Sequence, residues 1–137
     1  MKTFLIDDDP ISLFLTEQLL SLEGLGAQVV PFGSAEEAFL AVVQALPHKA
    51  PMLVFLDLEM PVLNGWEFLK ALEPYTPVLA QTSRFYILTS SLAKSDLEKC
   101  NEFPLVQRLL HKPLKQEDIA LILEEMQSSQ LQAELQA

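Results

Sequence analysis

Apolar positions along the chain alternate between two spacings. Unbroken apolar runs at 4–6, 52–56 and 85–88 suit strands buried on both faces, since alternate side chains leave a strand on opposite sides. Further strands are expected at 28–32 and 105–110. Between the strands, apolar residues recur at helical spacing. The first such stretch covers 11–23, with Ile11, Phe14, Leu15, Leu19 and Leu22 at that spacing. Asp9 and Pro10 suit its start, and Gly24 and Gly26 its end. Ser34-Ala35-Glu36-Glu37 has capping-box spacing and opens a helix to about 46. Residues 47–51 form a loop, and Asn64-Gly65-Trp66-Glu67 caps a helix to about 72. Two more helices are expected at 95–101 and from 116 to 127 or beyond. The proline-containing stretch 73–84 reads as a loop, longer than a usual connection.

Five strands alternating with five helices specify a parallel sheet covered on both faces, an α/β fold. Right-handed crossovers leave few topologies. The flavodoxin-like, doubly wound (βα)5 order 2-1-3-4-5 puts the second strand at an edge. Pro31 cannot donate to a ladder and is tolerated there.

Charge narrows the function. The 137 residues carry 9 Lys and Arg against 19 Asp and Glu, a net charge of −10. That argues against a nucleic-acid partner and against an anionic membrane surface. No apolar run approaches the length of about 18 residues needed to cross a membrane. The N-terminal apolar start meets three aspartates too early for a signal peptide. A single cysteine, Cys100, fits a reducing compartment, and a cytoplasmic protein is expected. The size is that of one domain, expected over 1–127, with a Gln-rich extension or frayed tail over 128–137.

In open α/β sheets, ligands bind beyond the carboxyl ends of the strands. Asp7, Asp8 and Asp9 follow the first strand, Asp57 the third, Thr89 and Ser90 the fourth, and Lys112-Pro113 the fifth. Clustered acids repel one another, and a hard divalent cation such as Mg2+ relieves that repulsion. A carboxylate can attack phosphorus to form an acyl phosphate. The transferring group then needs positive charge and hydrogen-bond donors, which lysine and threonine supply. The suggested chemistry is phosphoryl transfer to an aspartate.

The same residues, with Met60-Pro61 and Gly65, give a chain that resembles the CheY-like receiver domain of two-component response regulators, as far as about residue 126. The resemblance implies that Asp57 is the phosphoacceptor and that Mg2+ is held by Asp7, Asp8, Asp57 and the Glu59 backbone carbonyl. Asp8 would bind the metal directly and Asp7 mainly through water. Thr89 and Lys112 would contact the phosphoryl oxygens, Lys112 pairing with Asp57 before transfer and Pro113 helping to place it, often through a cis bond. The donor would be a sensor histidine kinase or phosphotransfer protein, and neither His48 nor His111 serves as one. The expected function is a stand-alone switch rather than an enzyme, with at most slow self-phosphorylation and autodephosphorylation. Its output would be altered protein binding through the face made by the fourth strand, the helix after it, the fifth strand and the last helix, as a monomer or weak dimer.

Some residues depart from the family pattern. The position three before the lysine, often aromatic, is Leu109, and Arg108 precedes it. Leucine fills space but cannot make the aromatic transition, so both residues are expected on the partner surface. Glu59 and Ser91 are expected to overlook the path of an attacking water. Two other classes stay open: a Mg2+-dependent phosphohydrolase forming a phosphoaspartate, with Asp7 and Asp9 as an Asp-x-Asp motif, and a phosphate-independent binding module. Simpler roles are expected for Asp9 as a helix cap, Trp66 packed beneath its helix, His48 in solvent, Cys100 in packing, and Glu124-Glu125 on a wet helix face.

Overall fold

Alternation along the strands divides the molecule. The structure, a computed structural model, describes residues 2–25 and 28–136, with side chains as far as Gln127. The expected helix stop at Gly26 and the side chains of the Gln-rich tail lie outside the described residues. Strands β1 (Lys2–Ile6), β2 (Val29–Phe32), β3 (Met52–Leu56), β4 (Ser83–Thr89) and β5 (Val106–His111) form one parallel sheet in the order β2-β1-β3-β4-β5. The helices are α1 (Pro10–Leu22), α2 (Ala35–Ala45), α3 (Gly65–Ala71), α4 (Thr76–Thr82), α5 (Lys94–Lys99) and α6 (Gln116–Gln136). The expected flavodoxin-like order is therefore the observed one, and Pro31 sits exposed on the edge strand β2.

Phe4, Ile6, Val54, Leu56, Phe85 and Ile87 point to one side, where Ala38, Val42, Phe68, Leu72 and Leu79 cover them. Leu5, Leu53, Phe55, Tyr86, Leu88 and Leu110 point to the other, against Leu20, Ile119 and Ile122. Each fully buried Leu, Ile or Phe contributes roughly 1.5–3 kcal/mol. Phe55 and Tyr86 stack at 5.9 Å between ring centroids, and Phe4 meets Phe32 edge-on at 5.1 Å.

Several expectations change. The stretch 73–84 is not a loop: a 3₁₀ turn at Glu73–Tyr75 leads into α4, which runs straight into β4. Pro74 and Pro77 occupy first-turn positions, where a missing N–H costs nothing, and Leu79 is fully buried as the anchor. The described residues thus hold six α-helices, and β4 begins at Ser83 rather than residue 85. On α1 most of the apolar residues at helical spacing face outward: Ile11, Phe14, Leu15 and Leu22 are exposed, Leu19 is half-buried, and Thr16 and Leu20 are buried. This helix is apolar on two overlapping stripes, and the threonine hides the one that packs. The backbone of α6 continues helically to Gln136, past the expected boundary. Glu125 is not on a wet face: it accepts from Tyr86 Oη at 3.1 Å and from Arg108 Nε at 3.0 Å.

Candidate functional site

Register brings the site together. Ile6 pairs with Leu56, and Leu56 with Ile87, so Asp7 and Asp57 leave the sheet side by side. Asp57 N–H donates to Ile6 O at 2.9 Å and Asp7 N–H to Phe32 O at 3.0 Å. Strand β4 runs on to Thr89, paired with His111, and Lys112 N–H donates to Thr89 O at 2.8 Å. The Lys112–Pro113 peptide is cis, as the resemblance implies.

Carboxylate oxygens of Asp7, Asp8 and Asp57 lie within 4.8 Å of one another. Asp7 and Asp57 are buried, and Asp8 faces solvent. Lys112 Nζ donates to Asp7 Oδ2 at 2.6 Å and lies 3.5 Å from Asp57 Oδ2, so Asp7 is its nearer partner. Asp57 Oδ1 accepts from Glu59 N–H at 3.3 Å, and Asp7 Oδ1 from Asp9 N–H at 2.9 Å.

These contacts divide the charge unevenly. Burial and the neighbouring Asp7 charge push the Asp57 carboxyl up to about 6, against the opposing pull of Lys112 and Glu59 N–H. Burial also works against ionised Asp7, but Lys112, Ser12 and the Asp9 N–H outweigh it and hold its carboxyl below the usual range. Burial disfavours the Lys112 ammonium, yet Asp7 and Asp57 together raise its pKa. A shared proton therefore goes to Asp57 first. One ammonium faces three carboxylates, all offering hard oxygen ligands, so a divalent cation fits the donor set.

Thr89 is fully buried, and its Oγ1 accepts from Ser91 N–H at 3.1 Å. Asp9 caps α1, accepting from Ile11 N–H at 3.0 Å, and takes no part in the acidic cluster. The start of α3 presses on the acceptor strand. A side chain at Gly65 would put Cβ 2.6 Å from Asp57 O and 2.9 Å from Leu58 Cα. Asn64 and Glu67 form the reciprocal capping box that fixes this start.

Other residues take different places from those expected. Ser91 does not stand free over a water path: its hydroxyl donates to Asp96 Oδ2 at 2.7 Å and accepts from Ala93 N–H at 3.2 Å. Trp66 is half-buried: it packs on the core as expected and also reaches α5. It stacks on Phe103 at 5.5 Å, lies under Lys99 Nζ at 5.3 Å, and donates from Nε1 to Asp96 Oδ1 at 3.4 Å. Arg108 and Leu109 point to opposite sides of β5: Arg108 ion-pairs with Glu125 of α6, and half-buried Leu109 packs on the core. They do not form one patch. Cys100 packs against that core, and burial pushes its thiol up, away from reactivity. Sequence reading missed Asp96 and Trp66 as neighbours of the site, since their link spans 30 positions.

Five parallel strands in this order, with acids, a hydroxyl and a lysine on one rim, match a known family. A sequence model of the response regulator receiver domain covers residues 3–124. The chain belongs to that family, whose members serve two-component signalling. Hybrid signal transduction histidine kinase C from Dictyostelium discoideum is 29% identical over 126 residues, 89% of this chain but 10% of that protein. Across the curated relatives it matches, the chain spans 10–32% of their length. A response regulator receiver protein from Dyadobacter fermentans superposes with a TM-score of 0.81 at 28% identity, covering 91% of this chain and 96% of that one. A two-component response regulator from Cytophaga hutchinsonii gives 0.83 at 23% identity, covering 93% and 96%, a likeness of fold. No helix among the described residues is long and apolar enough to cross a membrane.

Proposed function

We propose that this domain, over 1–127, accepts a phosphoryl group on Asp57 from a phosphohistidine of a kinase or phosphotransfer protein, and signals by changing its protein contacts. The observation that carries this reading is the Asp7–Lys112–Asp57 arrangement. Lys112 is held by Asp7 at 2.6 Å while standing 3.5 Å from Asp57. Asp57 is thus ionised at neutral pH but more basic than an ordinary aspartate, which favours it as a nucleophile. An Asp57 oxygen attacks phosphorus, the P–N bond to the donor imidazole breaks, and the imidazole leaves with the bonding pair. Lys112 is within reach of the added phosphoryl charge, and Thr89 offers a hydroxyl proton once it turns from Ser91 N–H.

Asp7, Asp8, Asp57 and the Glu59 carbonyl would hold Mg2+, which neutralises charge on the phosphoryl oxygens when bound. The role of Asp9 as a helix cap supports a phosphoacceptor over a hydrolase using an Asp-x-Asp motif. The output face would be β4, α5, β5 and α6. Autodephosphorylation would be slow, the chain a monomer or weak dimer, and its compartment the cytoplasm.

The test is intact-protein mass after incubation with a small phosphodonor and magnesium, beside Asp57→Ala. One phosphoryl adduct requiring both magnesium and Asp57 is expected. Its absence from the wild type, with magnesium binding established, overturns the reading.

A further inference from the structure

The β4–α5 loop carries a continuous chain of contacts leading away from the site. Ser91 N–H donates to Thr89 Oγ1 at 3.1 Å, and Ser91 Oγ donates to Asp96 Oδ2 at 2.7 Å. Ala93 N–H closes the loop on Ser91 Oγ at 3.2 Å. The other Asp96 oxygen accepts from Trp66 Nε1 on α3 at 3.4 Å, the long end of the hydrogen-bond range. Trp66 is in turn held between Phe103 and Lys99. One carboxylate therefore ties the loop that orients Thr89 to the helix that abuts the Asp57 backbone.

We propose that Asp96 is a positioning residue for Thr89, a latch that closes through Ser91 and Trp66 in the resting protein and opens when Asp57 is phosphorylated. This rests on Asp57 being the phosphoacceptor. Thr89 Oγ1 accepts from Ser91 N–H through a lone pair, so its proton stays free; turning about χ1 to aim that proton at a phosphoryl oxygen on Asp57 carries Oγ1 away from Ser91 N–H. Losing that bond frees the loop, and the loop holds Asp96 through the short Ser91 bond. The Trp66 contact, the longest in the chain, is the one that yields. The route ends on an indole, where β5 offers only the half-buried aliphatic Leu109. It moves the signal to the surface between α3 and α5, around Trp66, Lys99 and Phe103.

Linkage makes the latch reciprocal. If phosphorylation opens it, opening it by mutation must favour phosphorylation by the same factor. Asp96 is half-buried and its backbone is helical, so Asp96→Ala removes the tie without disturbing either core.

Trp66 is the single tryptophan, so its emission reports the latch directly. Emission and intact mass are followed together while wild type, Asp96→Ala and Ser91→Ala take up beryllium fluoride, a phosphoryl mimic, or a small phosphodonor with magnesium. In the wild type the Trp66 emission is expected to change in step with the adduct. In resting Asp96→Ala it starts at the altered value and changes little further. That variant binds beryllium fluoride about fivefold more tightly, and Ser91→Ala behaves alike. An adduct with unchanged Trp66 emission in the wild type overturns the latch alone. So does a wild-type response and affinity in both variants. Absence of any adduct in the wild type overturns the phosphoacceptor reading and the latch with it.

Discussion

Asp57 carries an ordinary side chain in an unusual setting, and the setting has a measurable sign. Its carboxyl titrates near 3.8 in an unfolded chain and is pushed up to about 6 in the fold, chiefly by burial. Between those values the folded state binds the extra proton, so stability falls as pH rises through the window and stays lower above it. The deficit at neutral pH is of order 3 kcal/mol. In chelator-treated buffer, Asp57→Asn is therefore expected to be more stable than wild type at pH 7 by about that amount. The two denaturation curves should converge below about pH 4. Magnesium should stabilise the wild type more than the variant, which keeps only Asp7, Asp8 and the Glu59 carbonyl as ligands. Parallel pH profiles would show that Asp57 is not the group bearing the strain. The acids and Lys112 were legible because each directly follows an apolar strand run. Asp96 was not, because its partners lie 5 and 30 positions away and only folding sets them side by side.

Two contacts between elements set the geometry around that site. Gly65 is the first residue of α3, and a methyl there would strike backbone atoms of Asp57 and Leu58, which cannot swing aside. Gly65→Ala is expected to cost about 1–3 kcal/mol by denaturation, and to slow phosphoryl uptake because the acceptor strand end must move. A stable variant with unchanged uptake would mean that α3 slides freely on β3. Behind the sheet, Tyr86 of β4 reaches Glu125 of α6, which also holds Arg108 of β5. Burial, then Glu125, raises the Tyr86 phenol to about 12. Its bond contributes stability fully present below about pH 10 and lost as pH rises toward 12. Tyr86→Phe should lose about 1 kcal/mol at neutral pH and lack the wild type's alkaline decline between those values. Phenolate absorbance during the titration checks the assignment. The central strands were readable because both of their faces are apolar, while α4 was not, since Pro74 and Pro77 look like breakers until they are seen in first-turn positions.

Across the whole molecule, an apolar surface among the described residues stands beside the chemistry. Ile11, Phe14 and Leu15 stand exposed on α1, and a groove between α1 and the Lys112–Leu114 segment adjoins them. If a protein donor brings a phosphohistidine to Asp57, as proposed, the donor is expected to cover this surface, because the Asp57 carboxylate is buried at the rim. A small phosphodonor does not. The two donors therefore separate docking from chemistry. Phe14→Glu is expected to change folding stability by no more than about 0.5 kcal/mol, because the side chain packs on neither core. Phosphoryl uptake from a small donor should be unchanged, while transfer from a phosphohistidine protein falls about tenfold, the loss of one apolar anchor. Equal loss with both donors would mean that Phe14 acts on the acidic site itself. No loss with either would mean that the donor approaches over the β3–α3 side instead, where Val62 is the exposed apolar residue. Helical periodicity located the apolar residues of α1 without choosing between its two stripes, because Thr16 on the packed stripe reads as polar. The stripe left in solvent is the one that adjoins the Lys112–Leu114 segment, and so the one on which the two donors should differ.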